Sequence, residues 1–248
     1  MKKLIYLLMS LSFVAFAACE DKENRNKEPF YKSGTEDGHD YVDLGLPSGT
    51  KWATCNVGAT NPQDDGNYYA WGEVTTKETY DRSTYKYYGD TYTKYNRTDH
   101  KTILDPSDDA AYVNWGGKWR MPTYDQIKEL SEECCWIRTE NYNGSNVQGV
   151  IVYKAKESSD KGRFYRFPLS SYSLSDIHIF LPGSGKYDDI VFIRDCYYWS
   201  SSIDRSISNN HSDPAALYCD YVAVTFSLSC LYGGVNREHG CPIRPVFK

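Results

Sequence analysis

Short β-type runs dominate the chain, and Gly, Pro, Asn and Asp separate them. Runs of this kind predict strands. We place these strands at residues 41–44, 51–54, 68–71, 147–154, 178–181, 197–201, 218–226 and 241–247. The segment 75–100 is polar, rich in Tyr and Thr, and has no clear period, which predicts a long surface loop.

One segment carries a strong helix signal. Thr123 follows a proline and has Gln126 three residues after it, which is the spacing of a capping box. Ile127, Leu130 and Cys134 then recur at the spacing of one helical face. The pattern therefore predicts a helix that starts after Thr123 and buries this stripe.

A second, shorter helix is predicted at 108–114, capped by Ser107 and ended by the glycines at 116 and 117. Asp108 and Asp109 fall at its start, where the helix dipole favours carboxylates. With Asp105, or separately at 64–65, such carboxylates could also bind Ca²⁺, but neither cluster has an EF-hand pattern. We predict no metal and no cofactor.

The N-terminus, residues 1–18, has the order of a secretory signal peptide: Lys2 and Lys3, an apolar run, then small residues. Small residues directly before Cys19 resemble a bacterial lipobox, so we predict that Cys19 is lipidated and becomes the N-terminus. Phe16 stands at the position where a lipobox usually has Leu, and in this it differs from the pattern. The alternative is cleavage by the ordinary signal peptidase, which would leave a secreted protein without a lipid.

Residues 19–38 are predicted to form a flexible tether, because the charged run 20–27 holds no apolar residue to repay ordering. Acidic residues beside the lipidated cysteine resemble the export signal of Bacteroidetes lipoproteins, which implies the outer face of the outer membrane. A plain soluble linker is the other interpretation. Residues 39–248 are long enough for one domain with a core of its own.

Charge and cysteine content narrow the function classes. Loss of Lys2 and Lys3 would lower the formal charge from −5 to −7, so the sequence predicts no basic face for nucleic acid. It predicts contact with a membrane through the lipid alone.

The chain has 8 Cys, which in an exported protein indicates an oxidising compartment. No cysteine or histidine cluster has zinc spacing. Cys55 with Cys134 is the preferred bridge, although sequence does not fix the pairing.

Three phrases together resemble a known family: YVDLGLPSGTKWATCNVGA at 41–59, NWGGKWRMPT at 114–123, and YWSSS at 198–202 with IRPV at 243–246. The chain resembles a Bacteroidetes lipoprotein with a Fibrobacter succinogenes major paralogous domain. That domain is similar to the C-type-lectin-like fold of the formylglycine-generating enzyme and of retroelement-diversified variable proteins. The resemblance implies an α+β, C-type-lectin-like domain whose closing strand pairs near the N-terminal strand.

The stretch 200–244 uses a restricted alphabet. It has no Lys, Gln, Met or Trp and a single Glu, Glu238. In the retroelement variable proteins, mutation at Asn-type codons implies an alphabet that lacks Lys, Gln, Glu, Met and Trp. The stretch therefore supports that class, and it also fits a relative whose C-terminus is only rich in Tyr, Ser and Asn.

Outward positions of this stretch mix aromatic anchors with adaptable polar groups, as binding surfaces of antibodies do. Arg237 also matches a framework position, so internal pairing is the alternative for it. The ligand-binding candidates are Asp204, Arg205, Asn209, Asn210, His211, Tyr218, Asp220, Tyr221, Tyr232, Asn236, Arg237 and His239.

The sequence favours a non-catalytic surface lipoprotein that binds an extracellular glycan or protein. The alternative is a structural or accessory subunit of a fimbria or another surface assembly. A third interpretation, implied by the enzyme kinship, is a cysteine-dependent oxidase that uses Cys219, Cys230 or Cys241. The flanking pattern of that enzyme is absent around these cysteines, and the 5 His lie in no nucleophile motif. We therefore expect no enzymatic activity.

Overall fold

The computed structural model describes residues 30–96, 98–187, 196–203, 214–219 and 235–248, with 214–219 as backbone alone. This part of the chain is a mixed α+β structure. It holds no helix that is long and apolar enough to cross a membrane. The helices are α1 (Ala110–Trp115) and α2 (Tyr124–Glu133). The strands are β1 (Gly34–Glu36), β2 (His39–Val42), β3 (Lys51–Ala53), β4 (Cys134–Thr139), β5 (Gly149–Lys154), β6 (Arg163–Tyr165), β7 (His178–Pro182), β8 (Cys196–Ile203), β9 (Pro214–Cys219) and β10 (Val246–Phe247).

The first sheet joins the two ends of the domain in the order β1-β2-β3-β10. All its pairs are antiparallel, and Trp52 lies opposite Val42 on one side and Val246 on the other. The prediction that the closing strand pairs near the N-terminal strand is confirmed. β1 lies within the segment predicted as a tether, so the folded domain begins before residue 39.

The last strand is also held by a buried arginine. Arg244 is 0 % exposed, and its guanidinium donates to the carbonyls of Ala53 (3.2 Å) and Thr54 (2.8 Å) and to Asn56 Oδ1 (2.8 Å). Hydrogen bonds from a charged donor contribute about 1.5–3 kcal/mol each. This side chain therefore ties the C-terminal strand to the segment after β3.

The second sheet has the order β6-β4-β5-β7, with β6 parallel to β4 and the other pairs antiparallel. Successive side chains of a strand point to opposite faces. Val150 and Val152 accordingly pack into the cluster around Trp136, and Ile151 and Tyr153 pack into a cluster on the other face. Both faces of this sheet are therefore covered.

β8 and β9 form an antiparallel pair with an irregular register between Trp199 and Ile203. Trp199 Nε1 donates to the carbonyl of Tyr69 at 2.7 Å, and Trp71 Nε1 donates to the carbonyl of Ser200 at 2.8 Å. These reciprocal bonds join β8 to the segment 68–71. That segment was predicted as a strand, but it forms an isolated bridge at Tyr69 instead.

Both predicted helices form, and one cap differs from the prediction. Thr123 and Gln126 make the capping box at the start of α2, as predicted. α1 is capped by Asp109, whose carboxylate accepts from the amides of Tyr112 (2.9 Å) and Met121 (2.9 Å). Ser107 is not the cap because it lies inside a 3₁₀ turn, Pro106–Asp108, that precedes the helix.

β4 was missed by the sequence analysis. Cys134 was assigned to the apolar stripe of the helix, yet its backbone is extended (φ −106°, ψ 162°), and the chain passes from α2 directly into the strand. Residues 134–137 are all buried. A continuous apolar run of this length has no period that distinguishes strand from helix.

The segment 75–100 is not the surface loop that its polar composition predicted. Tyr80, Tyr85, Tyr87 and Tyr95 are buried there, in one cluster with Trp71. A tyrosine can enter a core when its hydroxyl finds a partner. The hydroxyl of Tyr85, for example, donates to the carbonyl of Trp71 at 2.8 Å. The described part of this segment therefore forms a second core.

A buried carboxylate organises the same region. Burial alone would raise the pKa of Asp108, but hydrogen bonds from Lys94, Tyr87 and Tyr95 lower it to about 2. The Tyr95 hydroxyl donates to Asp108 Oδ2 at 2.6 Å, and Lys94 forms an ion pair with the same oxygen. The Asp108 carboxylate thus binds side chains of the tyrosine-rich segment rather than a Ca²⁺ ion.

The predicted Cys55–Cys134 bridge is wrong in this structure, where both residues are free thiols. Cys134 is buried in the core cluster between the first two sheets. Cys55 is half-buried and lies beside Thr54 after β3. Cys55 and Cys134 therefore have different neighbours. Their spacing in the sequence does not show whether the two sulfur atoms are close enough to bond.

Candidate functional site

Most of the predicted binding residues lie outside the described residues. These are Asp204, Arg205, Asn209, Asn210, His211, Asp220, Tyr221 and Tyr232. The lipidation candidate Cys19 and the cysteine Cys230 also lie outside them, and Tyr218 is described as backbone alone, within β9. Asn236, Arg237 and His239 are described, so the site can be built from the segment 235–241.

Backbone hydrogen bonds hold the segment 235–241 between two distant parts of the chain. Tyr69 and Cys241 exchange a pair of backbone bonds of 3.0 Å, and the amide of Trp71 donates to the carbonyl of Arg237 at 2.8 Å. On the other side, Tyr187 and Gly240 exchange bonds of 2.8 and 2.9 Å. Residues 68–71 and 187 are thereby brought beside the predicted binding stretch.

The result is a surface that we call the tyrosine face, made of Tyr68, Tyr187 and His239 together with the buried ring of Tyr80 beneath Tyr187. The rings of Tyr68 and Tyr187 meet edge to face at 4.7 Å, and those of Tyr80 and Tyr187 stack at 5.8 Å. Tyr187 packs against both rings and is still 44 % exposed. His239 is half-buried on the same segment.

Hydrogen bonds fix the two inner rings of this face. The Tyr68 hydroxyl donates to the carbonyl of Ser184 at 2.5 Å, and the Tyr80 hydroxyl donates to the carbonyl of Tyr68 at 2.5 Å. Burial raises the pKa of both phenols, so both remain neutral at physiological pH. The face therefore offers preorganised, uncharged aromatic surface.

Gly240 makes this arrangement possible. A Cβ atom at this position would lie 2.9 Å from two carbons of the Tyr80 ring. Real Cβ contacts are longer than that, so any other residue would push the ring away. The glycine thus has a packing role that sets the position of Tyr80.

Arg237 belongs to the scaffold and not to a surface open to ligands. It is 0 % exposed, and its guanidinium donates to the carbonyls of Lys94 (3.0 Å) and Tyr95 (2.6 Å). The guanidinium carbon lies 5.3 Å from the Trp71 ring centre and 4.3 Å from that of Tyr92. These contacts agree with the alternative interpretation of Arg237, in which it pairs inside the protein.

Glu238, the single exception to the restricted alphabet, is also a scaffold residue. It is 3 % exposed, and its carboxylate accepts from Arg82 Nε at 2.9 Å and from the Tyr92 hydroxyl at 3.4 Å. A buried carboxylate with two partners cannot be exchanged freely, because the partners would be left unsatisfied. Glu238 therefore departs from the restricted alphabet at a position where its two partners require a carboxylate.

Positive charge near the face comes from two lysines. Lys77 Nζ lies 5.5 Å from the centre of the Tyr80 ring. The Lys186 ammonium lies 3.5 Å from His239 Nδ1 and 5.6 Å from the centre of the Tyr197 ring. The tyrosine face thus combines aromatic hydroxyls, an imidazole and nearby ammonium groups. Sequence analysis missed Tyr68, Tyr80, Tyr187 and Lys186, because they lie far along the chain from 200–244, and the excess of Tyr was the available signal.

Cys55, Cys134 and Cys135 are poor nucleophiles. Cys134, Cys135, Cys196 and Cys241 are buried, and Cys55 is half-buried. Burial raises the pKa of Cys55 and Cys134, and raises that of Cys135 to about 11. The thiolate is the reactive form. These particular thiols are therefore protonated at neutral pH.

Among the described residues, no group of three or more His, Cys, Asp or Glu side chains is arranged to hold a metal ion. Comparison with known proteins adds no assignment. The chain matches no family model, no curated protein and no solved structure.

Proposed function

We propose that the protein is a cell-surface lipoprotein that binds an extracellular glycan or protein without catalysis, through the tyrosine face and the adjoining stretch 200–244. The observation that carries this proposal is the partly exposed Tyr187 ring, fixed against Tyr68 and Tyr80 beside His239. Rigid tyrosines give large contact area at a low cost in conformational entropy. Such a surface is suited to recognition.

The proposed fold is C-type-lectin-like. Two features support it: the closing strand β10 pairs with β3, and the Trp119-to-Thr123 phrase leads into the capped helix α2. In this proposal the residues Arg237 and Glu238 are fixed scaffold, and the exchangeable positions are other residues of the stretch 200–244. An experimental structure of the domain that showed a different strand order would overturn the fold assignment.

The binding proposal is tested on arrays of glycans and of surface proteins with the purified protein. We expect at least one ligand whose binding falls in Tyr187→Ala and His239→Ala, and in the Ala variants of Tyr218, Tyr221 and Tyr232. The matched control is Phe167→Ala, because Phe167 is a 74 % exposed aromatic outside this face. If every bound ligand is lost equally in the control, or none is lost in the face variants, the proposal is wrong.

The location of the protein needs separate tests. Lipidation at Cys19 predicts a mass shift that Cys19→Ala removes, and exposure on the outer membrane predicts digestion by protease added to intact cells. Complete protection of the protein in intact cells would place it elsewhere. Co-purification with pilus proteins from native membranes would instead favour the role of an assembly subunit.

A further inference from the structure

A cavity of about 400 Å³ lies beside the first sheet, on a part of the domain that the proposed binding surface does not use. Its lining comes from residues 30–32 and 38–40, from several residues of 54–62, and from Trp115. It shares no residue with the tyrosine face. Its volume falls within the range of small-molecule sites, about 300–1,000 Å³.

Aromatic rings form one part of the lining, and neighbouring groups fix their orientation. Phe30 is stacked against Tyr142 with ring centres 6.1 Å apart and an angle of 13° between the planes. Trp115 lies flat against His39, with ring centres 3.7 Å apart and an angle of 3°. Together with the half-buried Tyr31, these rings give the cavity apolar surface that is already ordered.

The polar part of the lining carries charges that balance. Lys32 Nζ lies 2.9 Å from Asp40 Oδ2, and both side chains keep substantial exposure, 54 % and 38 %. Burial lowers the pKa of His39 despite the nearby Asp37 and Asp40, so its imidazole is neutral at neutral pH. The pKa of the Cys55 thiol is raised.

We propose that this cavity binds a neutral saccharide unit. A pyranose ring has an apolar face of C–H groups, which packs on aromatic rings, and hydroxyls around its edge. The Asp40 carboxylate accepts bonds from such hydroxyls, and the Lys32 ammonium donates to them. A charged small molecule would be attracted by one member of this pair and repelled by the other. The lining therefore favours a ligand that has hydroxyls and no net charge.

The test uses the purified full-length protein and the methyl glycosides of glucose, galactose, mannose and N-acetylglucosamine. Binding is followed by saturation-transfer NMR and by tryptophan fluorescence, and glucuronate and glucosamine serve as charged probes. We expect saturable binding of a neutral glycoside. Tyr31→Ala is expected to weaken it about tenfold, equivalent to about 1.4 kcal/mol.

Because Tyr31 also packs against the core, a second variant keeps the test decisive. Ala59→Trp places a large ring at the cavity lining without removing an existing contact, and it is expected to abolish binding while the near-ultraviolet circular dichroism stays that of a folded protein. Val113→Ala, on the exposed side of α1, is the control that should bind normally.

The proposal is overturned if no neutral glycoside binds, or if binding survives in Ala59→Trp. It is also overturned if Tyr187→Ala removes the binding, because the saccharide would then occupy the tyrosine face. Conversely, ligands of the tyrosine face that are unaffected by Ala59→Trp would support the proposed function whatever the cavity does. The two proposals can therefore fail separately.

Discussion

Replacement of Arg237 by methionine separates a scaffold role from a ligand-binding role at the same residue. The wild-type guanidinium donates to the carbonyls of Lys94 and Tyr95 at 3.0 and 2.6 Å inside the core. Methionine fills much of the same volume with no donor. The variant therefore tests the hydrogen bonds rather than the packing.

The expected loss follows from those two carbonyls. A buried acceptor left without a partner costs about 1–3 kcal/mol, so the pair costs about 2–6 kcal/mol. The contacts of the guanidinium with the Trp71 and Tyr92 rings are lost as well. A buried charge no longer has to be desolvated, and this offsets part of the loss. Because this offset is only partial, we expect the free energy of unfolding to fall by about 2–4 kcal/mol.

The assay is equilibrium unfolding in urea, followed by tryptophan fluorescence and far-ultraviolet circular dichroism. Asn236→Ala, at the half-buried neighbouring residue, is the matched control and should change stability by less than about 1 kcal/mol. If Arg237→Met is as stable as wild type and instead loses an array ligand, the guanidinium acts on the ligand, and the scaffold interpretation is refuted.

Three further predictions concern packing, charge and helix capping. Gly149→Ala should lower the free energy of unfolding by about 1–3 kcal/mol or more, because its Cβ would lie 2.4 Å from the Phe180 ring. Gly89→Ala, whose Cβ would meet the Thr93 methyl group at an ordinary contact distance of 3.8 Å, should be neutral in the same thermal melt. Asp108 has an ordinary pKa of 3.8 that the fold lowers to about 2, so it stabilises the protein above pH 4, and this stabilisation disappears as the pH falls through 2. Asp108→Asn should therefore be less stable at pH 7 and lose less stability than wild type between pH 4 and pH 2 in urea titrations; parallel curves would contradict this. Thr123→Ala should cost about 1 kcal/mol through the lost cap, and an unchanged urea midpoint would contradict the capping box.

Of the predictions that held, the pairing of the closing strand was implied by the family resemblance, and those made from spacing depend on neighbours in sequence. Thr123 and Gln126 cap α2 because the three-residue spacing brings the side chains to each other's amides. The predictions that failed depend on distant partners. Ser107 has the right chemistry for a cap, but it lies inside the 3₁₀ turn before α1, and Asp109, whose carboxylate also accepts from the amide of Met121, caps the helix. Likewise, an oxidising compartment makes a disulfide between Cys55 and Cys134 plausible, but in the fold both residues are free thiols.

The sequence by itself determined the strand and helix signals, the signal-peptide pattern and the restricted alphabet of 200–244, because all of these depend on residue type and short spacing. The tertiary structure alone decided what the tyrosines do. Polar composition indicated a surface loop at 75–100, yet Tyr85 and Tyr95 are buried since distant groups satisfy their hydroxyls. Long-range backbone pairing also holds Tyr187 against Gly240, next to His239, with the Tyr187 ring 44 % exposed, and no local pattern encodes that pairing.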